Sequence, residues 1–187
     1  MRDALYFLVD SLLTIYLYAL VLRFVMQLTR ADFRNPFAHF ITTVTNPLIL
    51  PLRRVLPPVG KVDSASVLAI VIWTALKLAV LSFIAGTRVL DPFAFSVMLV
   101  FDLVVTFIKF FTGAILIYAL LSWVVPAGYN PVMALLGSVC EPVLRPFRRL
   151  IPPIANVDLS ALWALLALGV LLRLVAELPQ LFAYTST

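Results

Sequence analysis

The chain has 187 residues, 63% of them hydrophobic and only 12% charged, with 14 Lys and Arg against 9 Asp and Glu. A soluble domain carries roughly 25% charged residues, so the polar surface needed to cover a water-facing globule is missing and lipid must solvate much of the chain. The net charge of +5 therefore points to membrane orientation or anionic lipid rather than to nucleic acid.

The first apolar run, Ala4 to Met26, is too long for a signal-peptide core, carries Arg23 near its far end and lacks an Ala-x-Ala exit. It is expected to remain as a membrane anchor, with Arg23 reaching the cytoplasmic interface. Asn35-Pro36 follows, an N-cap residue before a proline suited to the first helical position. Phe37, Phe40, Ile41 and Val44 then fall at i, i+3, i+4 and i+7, which predicts an amphipathic helix of about three turns ended by Pro47. A spanning helix needs about 20 residues, so this one is expected to lie in the membrane interface. His39, on its weakly apolar side, reads as a polar surface residue.

Pro51-Leu-Arg53-Arg54-Val-Leu-Pro57-Pro58 has prolines dense enough to favour a stiff extended path that holds the arginines near headgroups. Asp63 stands where an acidic N-cap would start the second span, Ser64 to Gly86. A helix running from Pro92 to Val125 would be about 51 Å long against a hydrocarbon core of about 30 Å. The third span is therefore expected from Val104 to Val125, after a linker over residues 87–103 interrupted by Asp91 and Asp102. The fourth runs from Leu159 to Phe182.

An internal repeat organises these elements. Asn35, Pro36, Pro47, Pro51, Arg53, Arg54, Pro57, Pro58 and Asp63 recur 95 residues on as Asn130, Pro131, Pro142, Pro146, Arg148, Arg149, Pro152, Pro153 and Asp158. Val132, Leu135, Leu136 and Val139 repeat the apolar stripe. Upstream, Tyr18-Ala-Leu matches Tyr118-Ala-Leu at a spacing of 100, which predicts five extra residues in the first copy around Gln27 to Phe33. The expected units are a first repeat (1–86), a linker (87–103) and a second repeat (104–187). The fold class is an all-α membrane protein of four transmembrane helices in two parallel repeats.

Of the 14 basic residues, Arg30, Arg34, Arg53, Arg54, Lys61, Arg145, Arg148 and Arg149 lie in the two shared loops, while Arg2 and Arg88 lie at the opposite helix ends. The excess of positive charge predicts cytoplasmic loops and periplasmic termini. Arg53, Arg54, Arg148 and Arg149 serve as topology signals, or as a site for anionic lipid or an acidic partner. Their fixed register with four prolines exceeds what topogenesis requires.

Within the spans, Lys77 lies fourteen residues after Asp63 and Arg173 fifteen after Asp158. Both are expected to snorkel outward, with Glu177 four residues beyond Arg173 as its partner, or else to form an ion or partner site. Lys109 reads as an interfacial residue. Cys140 and His39 are single members of their types, which excludes an internal disulfide, a Cys/His metal cluster and a Cys-x-x-Cys-His haem attachment. Cys140 reads as a small apolar filler. No nucleophile elbow, P-loop or HExxH motif supports an enzyme.

At the repeated N-P…P-x-x-x-P-x-R-R-x-x-P-P…D pattern, with Ser122-Trp123 before the second copy, the chain resembles the YggT family of small bacterial inner-membrane proteins over its full length. The copies depart from each other at Asn46 against Glu141 and at Lys61 against Asn156. The resemblance implies a multi-pass protein associated with division or with envelope and osmotic homeostasis. Plastid and cyanobacterial relatives of the YlmG type are linked to membrane and nucleoid organisation, and some to haem attachment on cytochrome b6. It carries no catalytic residues over. The expected function is a non-enzymatic scaffold or assembly factor without cofactor. Its partners would be anionic membrane lipids and other membrane, envelope or division proteins, with homo-oligomers possible and no nucleic acid. The alternative is an oligomeric channel or transporter subunit using Lys77, Arg173 and Glu177.

Overall fold

The computed structural model describes residues 1–56, 62–86, 91–124, 130–150 and 159–185. Every regular element among them is a helix: α1 (Arg2–Leu28), α2 (Pro36–Val55), α3 (Ser64–Ala85), α4 (Pro92–Val124), α5 (Pro131–Leu150) and α6 (Ser160–Thr185). α1, α3, α4 and the Ser160–Glu177 stretch of α6 are each long and apolar enough to cross a membrane, which makes this a multi-pass membrane protein. α3 closes on Gly86, whose φ of 69° is open to glycine without a steric penalty.

Side chains on α1, α2 and α3 form the larger core, with Leu17, Leu20, Val21, Ile49, Ala65 and Ala69 at its centre. Trp73 of α3 stacks on Tyr16 with ring centroids 4.3 Å apart, and its Nε1 donates to the Leu13 carbonyl at 2.9 Å. A smaller core joins α4, α5 and α6 through Ile115, Cys140, Leu144 and Ala164. Small residues let the helices approach closely where hydrocarbon surrounds them, and they fall at matching positions. Ala65 and Ala69 in α3, and Ser160 and Ala164 in α6, are all fully buried.

Leu20 and Ile115, 95 residues apart, are both 0% exposed, so the spacing of the loop motifs also aligns a core position of α1 with one of α4.

Two boundaries also differ from expectation. Residues 92–103 do not form a separate linker helix; they are the first three turns of α4, which runs 33 residues without a break at Asp102. The reason is tertiary: Asp102 finds a cation on α3 (below), and Phe107 and Phe110 pack against Phe24 and Tyr18 of α1. The first half of α4 thus belongs to the first core and its second half to the second.

Nor do Pro47 and Pro142 end their helices. α2 and α5 each continue for 20 residues with two prolines inside, through Arg53-Arg54 and Arg148-Arg149. A proline forfeits one N–H and crowds the carbonyl four residues back. Pro47 and Pro51, like Pro142 and Pro146, lie on the exposed side, so neither pair forces an unpaired carbonyl into the core. The segments 51–55 and 146–150 are helical rather than extended. Pro57, Pro58, Lys61, Arg88, Pro152, Pro153, Asn156 and Asp158 lie outside the described residues.

Candidate functional site: an arginine cluster at the loop end

Each loop helix begins as its sequence dictates. The Asn35 carboxamide oxygen accepts from the Phe37 N–H at 2.9 Å, and that of Asn130 accepts from Val132 and Met133 at 2.8 and 3.3 Å. The Asn35 amide also donates to the Pro131 carbonyl, which ties the start of α2 to the start of α5. The buried stripes then differ. In α5, Leu135, Val139, Cys140 and Leu144 face the core. In α2 the core side is Ala38, Thr45 and Ile49 with Ile41, Leu48 and Leu52 beside them, while Phe37 and Phe40 of the expected stripe are 51% and 61% exposed.

The paired arginines split. Arg53 turns inward: its Nη2 lies 2.6 Å from Asp63 Oδ2, its Nε 3.2 Å from the same oxygen, and Nη2 also donates to Gln27 Oε1 at 3.3 Å. Asp63 is 1% exposed and receives a further bond from Ser66 Oγ at 2.6 Å. It sits at the N-cap position of α3, but its carboxylate binds these side chains instead of capping the backbone. Burial alone would raise its pKa; the hydrogen bonds from Arg53 and Ser66, with the charges of Arg53 and Arg23, outweigh that and hold it below the ordinary carboxylate range. Arg54 points away, exposed and without an ion pair among the described residues.

Sequence reasoning did not bring Arg23, Gln27 and Asn46 to this cluster, which they complete. Arg23 is 4% exposed and turned into the bundle. Its Nη1 donates to the Thr42 carbonyl at 3.0 Å and to Thr45 Oγ1 and Asn46 Oδ1, both at 2.8 Å. These bonds grip the turn that precedes Pro47 and help keep α2 helical there. Its Nε and Nη2 make no hydrogen bond among the described residues, and Arg23 lines an open cavity of about 310 Å³ together with Gln27, Phe33, Thr42 and Arg53.

The second loop places other chemistry at the same positions. Tyr118 stands 95 residues after Arg23 and packs over Gly137, the counterpart of Thr42, with its Cε2 3.6 Å from where a Cβ would stand. Arg148, the counterpart of Arg53, donates through Nη1 to Glu141 Oε2 at 2.7 Å, and Glu141 replaces Asn46. Arg145 and Arg149 are exposed. Cys140, the counterpart of Thr45, is fully buried, and burial pushes its thiol up to about 12, in keeping with an inert filler.

A second polar site lies within the spans. Lys77 is 6% exposed, and its Nζ lies 2.8 and 3.1 Å from the two carboxylate oxygens of Asp102. It is paired inside the bundle instead of snorkelling outward. The pair borders a cavity of about 230 Å³ that Asp10, Thr14, Thr106 and Lys109 also line. Arg173 and Glu177 are both exposed on α6 and form no ion pair with each other. A lone aspartate in an apolar run was the signal for Asp102, because an intramembrane charge demands a partner.

Comparison with known proteins matches these features to relatives. An uncharacterized protein of Pseudomonas aeruginosa is 40% identical over 179 residues, covering 94% of this chain and 89% of that protein. One of Vibrio alginolyticus, encoded in the proC 3' region, is 38% identical over 164 residues, 86% of each chain. The uncharacterized protein YggT of Escherichia coli is 35% identical over 178 residues, 95% of this chain and 92% of that one. No solved structure matches significantly. The CCB3/YggT family model matches twice, over residues 2–84 and 97–179, with both matches starting in the 95-residue register. The chain belongs to the CCB3/YggT family.

Proposed function

We propose that this protein is a non-enzymatic scaffold or assembly factor of the bacterial inner membrane, serving envelope organisation, division or osmotic homeostasis. In this reading the chain is two parallel repeats. α2 and α5 lie along the cytoplasmic interface as amphipathic helices, the termini are periplasmic, and Arg54, Arg145 and Arg149 meet anionic headgroups or an acidic partner. The observation that carries it is that α2 and α5, joined at their starts through Asn35 and Pro131, each leave arginines exposed in their last turns, Arg54 on α2 and Arg145 and Arg149 on α5. Arg53 and Arg148 are turned toward carboxylates, so the outer arginine of each pair makes the contact. Changing Arg54, Arg145 and Arg149 together to Gln is expected to remove the enrichment of anionic over zwitterionic lipid around the full chain in native-lipid nanodiscs. Unchanged enrichment would sink the reading.

A second reading is favoured by the Lys77–Asp102 pair and its cavity between α1, α3 and α4: a subunit of an oligomeric channel or transporter. Flux through proteoliposomes that is lost in Asp102→Asn and Lys77→Met, but kept in the triple arginine variant, would favour it over the scaffold.

A further inference from the structure

We propose that the cavity walled by Arg23, Gln27, Phe33, Thr42 and Arg53 is a binding site for one phosphate oxyanion, carried by a phospholipid headgroup or by soluble phosphate. This deepens the reading above, because it rests on that end of the bundle meeting anionic headgroups, but it concerns a different set of residues.

The case begins with charge. Two guanidinium groups border the cavity, and Asp63 is the one carboxylate in ion-pair contact with either among the described residues. Asp63 bonds directly to Arg53 and acts on Arg23 only at longer range, so the direct partners of the buried Arg23 are neutral oxygens. A buried cation without a counter-ion is costly, and the chain keeps this one on the cavity wall. The donor geometry agrees. Arg23 uses Nη1 for the protein and keeps Nε and Nη2 over; Arg53 uses Nε and Nη2 and keeps Nη1. Two guanidinium groups with spare N–H donors on one cavity suit an oxyanion with several oxygens.

Height and lining favour a lipid as the carrier. Arg23 stands five residues before the last residue of α1, a rise of about 7.5 Å, which is close to the level of headgroup phosphates. Phe33 offers an apolar wall beside the cations.

The second loop supports the assignment by contrast. Glu141 gives Arg148 an anion from within the chain, and Tyr118 with Gly137 replaces the buried cation and its threonine. Where the chain supplies a carboxylate the extra arginine is absent; where it supplies an asparagine the extra arginine is present.

The test uses the purified, delipidated full chain in a neutral detergent. Native mass spectrometry counts bound dioleoyl phosphatidylglycerol, and thermal shift follows titration with that lipid and with inorganic phosphate. Wild type is expected to hold one tightly bound lipid, with affinity about tenfold or more weaker in Arg23→Gln, the scale expected for losing a charge-assisted contact. Because Arg23→Gln also removes the grip on α2, Asn46→Glu is the companion variant: it keeps Arg23, supplies the carboxylate and should abolish the site in a folded protein. The triple Arg54, Arg145 and Arg149 variant should keep the tight lipid while losing bulk enrichment, so failure of this site and failure of the scaffold reading are read separately. Arg23-dependent stabilisation by inorganic phosphate alone would assign the site to soluble phosphate. Wild-type binding of both probes by Arg23→Gln and Asn46→Glu would overturn it.

Discussion

The two loops share a proline and arginine framework but balance its charge differently. In the first, the inner arginine is held by a carboxylate from across the loop, Asp63, and a second arginine arrives from α1 with no acid of its own. In the second, the inner arginine is held by Glu141 from its own helix, and α4 offers Tyr118 instead of a cation. The framework therefore sets where a guanidinium stands, and a few substitutions decide whether it is closed off or left to meet an outside anion. Duplication followed by such substitutions leaves one loop as an open polar site and the other as a packed one.

The largest expected difference concerns the two carboxylates. Asp63→Asn removes the buried carboxylate that bonds Arg53 and Ser66 and is expected to cost about 2 kcal/mol, whereas Glu141→Gln breaks a pair exposed on both sides and worth under about 1 kcal/mol. Denaturant unfolding of the two variants checks the order, and equal losses would erase the distinction between the loops. The same difference sets a pH dependence. Asp63 has its pKa lowered in the folded chain, so its contribution is fully present above the unfolded value of about 3.9 and fades as pH falls through the lower folded value. Wild type should lose this component in acid; Asp63→Asn should lack it, and Glu141→Gln should retain it.

A smaller effect sharpens the comparison from the other side. Asn46→Glu gives Arg23 the acid that the second loop already has and is expected to stabilise the chain by about 1 kcal/mol, read as a rise in unfolding temperature. The smallest concerns the packed loop. A Cβ at Gly137 would meet Tyr118 at 3.6 Å, an ordinary contact, so Gly137→Ala is expected to gain about 0.5 kcal/mol from helix propensity alone. A loss instead would mean that Tyr118 packs against Gly137 too tightly to yield.

Much of this was legible in the sequence, and the misses have physical causes. Four spans were set by apolar length, and the starts of α2 and α5 by Asn-Pro pairs. The ends of those helices were not, because proline rules describe an isolated chain, whereas here the prolines lie on an exposed face and Arg23 grips the turn before Pro47. The core-facing side of α2 was not legible, because Thr45, a polar residue, is fully buried under Arg23 while Phe37 and Phe40 of the apolar stripe are exposed on the protein surface. The partners Arg23–Asn46, Arg53–Gln27 and Lys77–Asp102 join residues 23 to 26 positions apart, beyond any local periodicity.

The most direct test is a distance between nitrogen and phosphorus. Rotational-echo NMR on the chain with guanidino-¹⁵N arginine, in phosphatidylglycerol-containing bilayers, reports arginines in contact with ³¹P. Subtracting the signal of Arg23→Lys isolates one residue. The open first loop predicts ³¹P dephasing of the Arg23 guanidinium in wild type that disappears in Asn46→Glu. An Arg23 signal with no dephasing in wild type, beside exposed arginines that show it, would contradict the account.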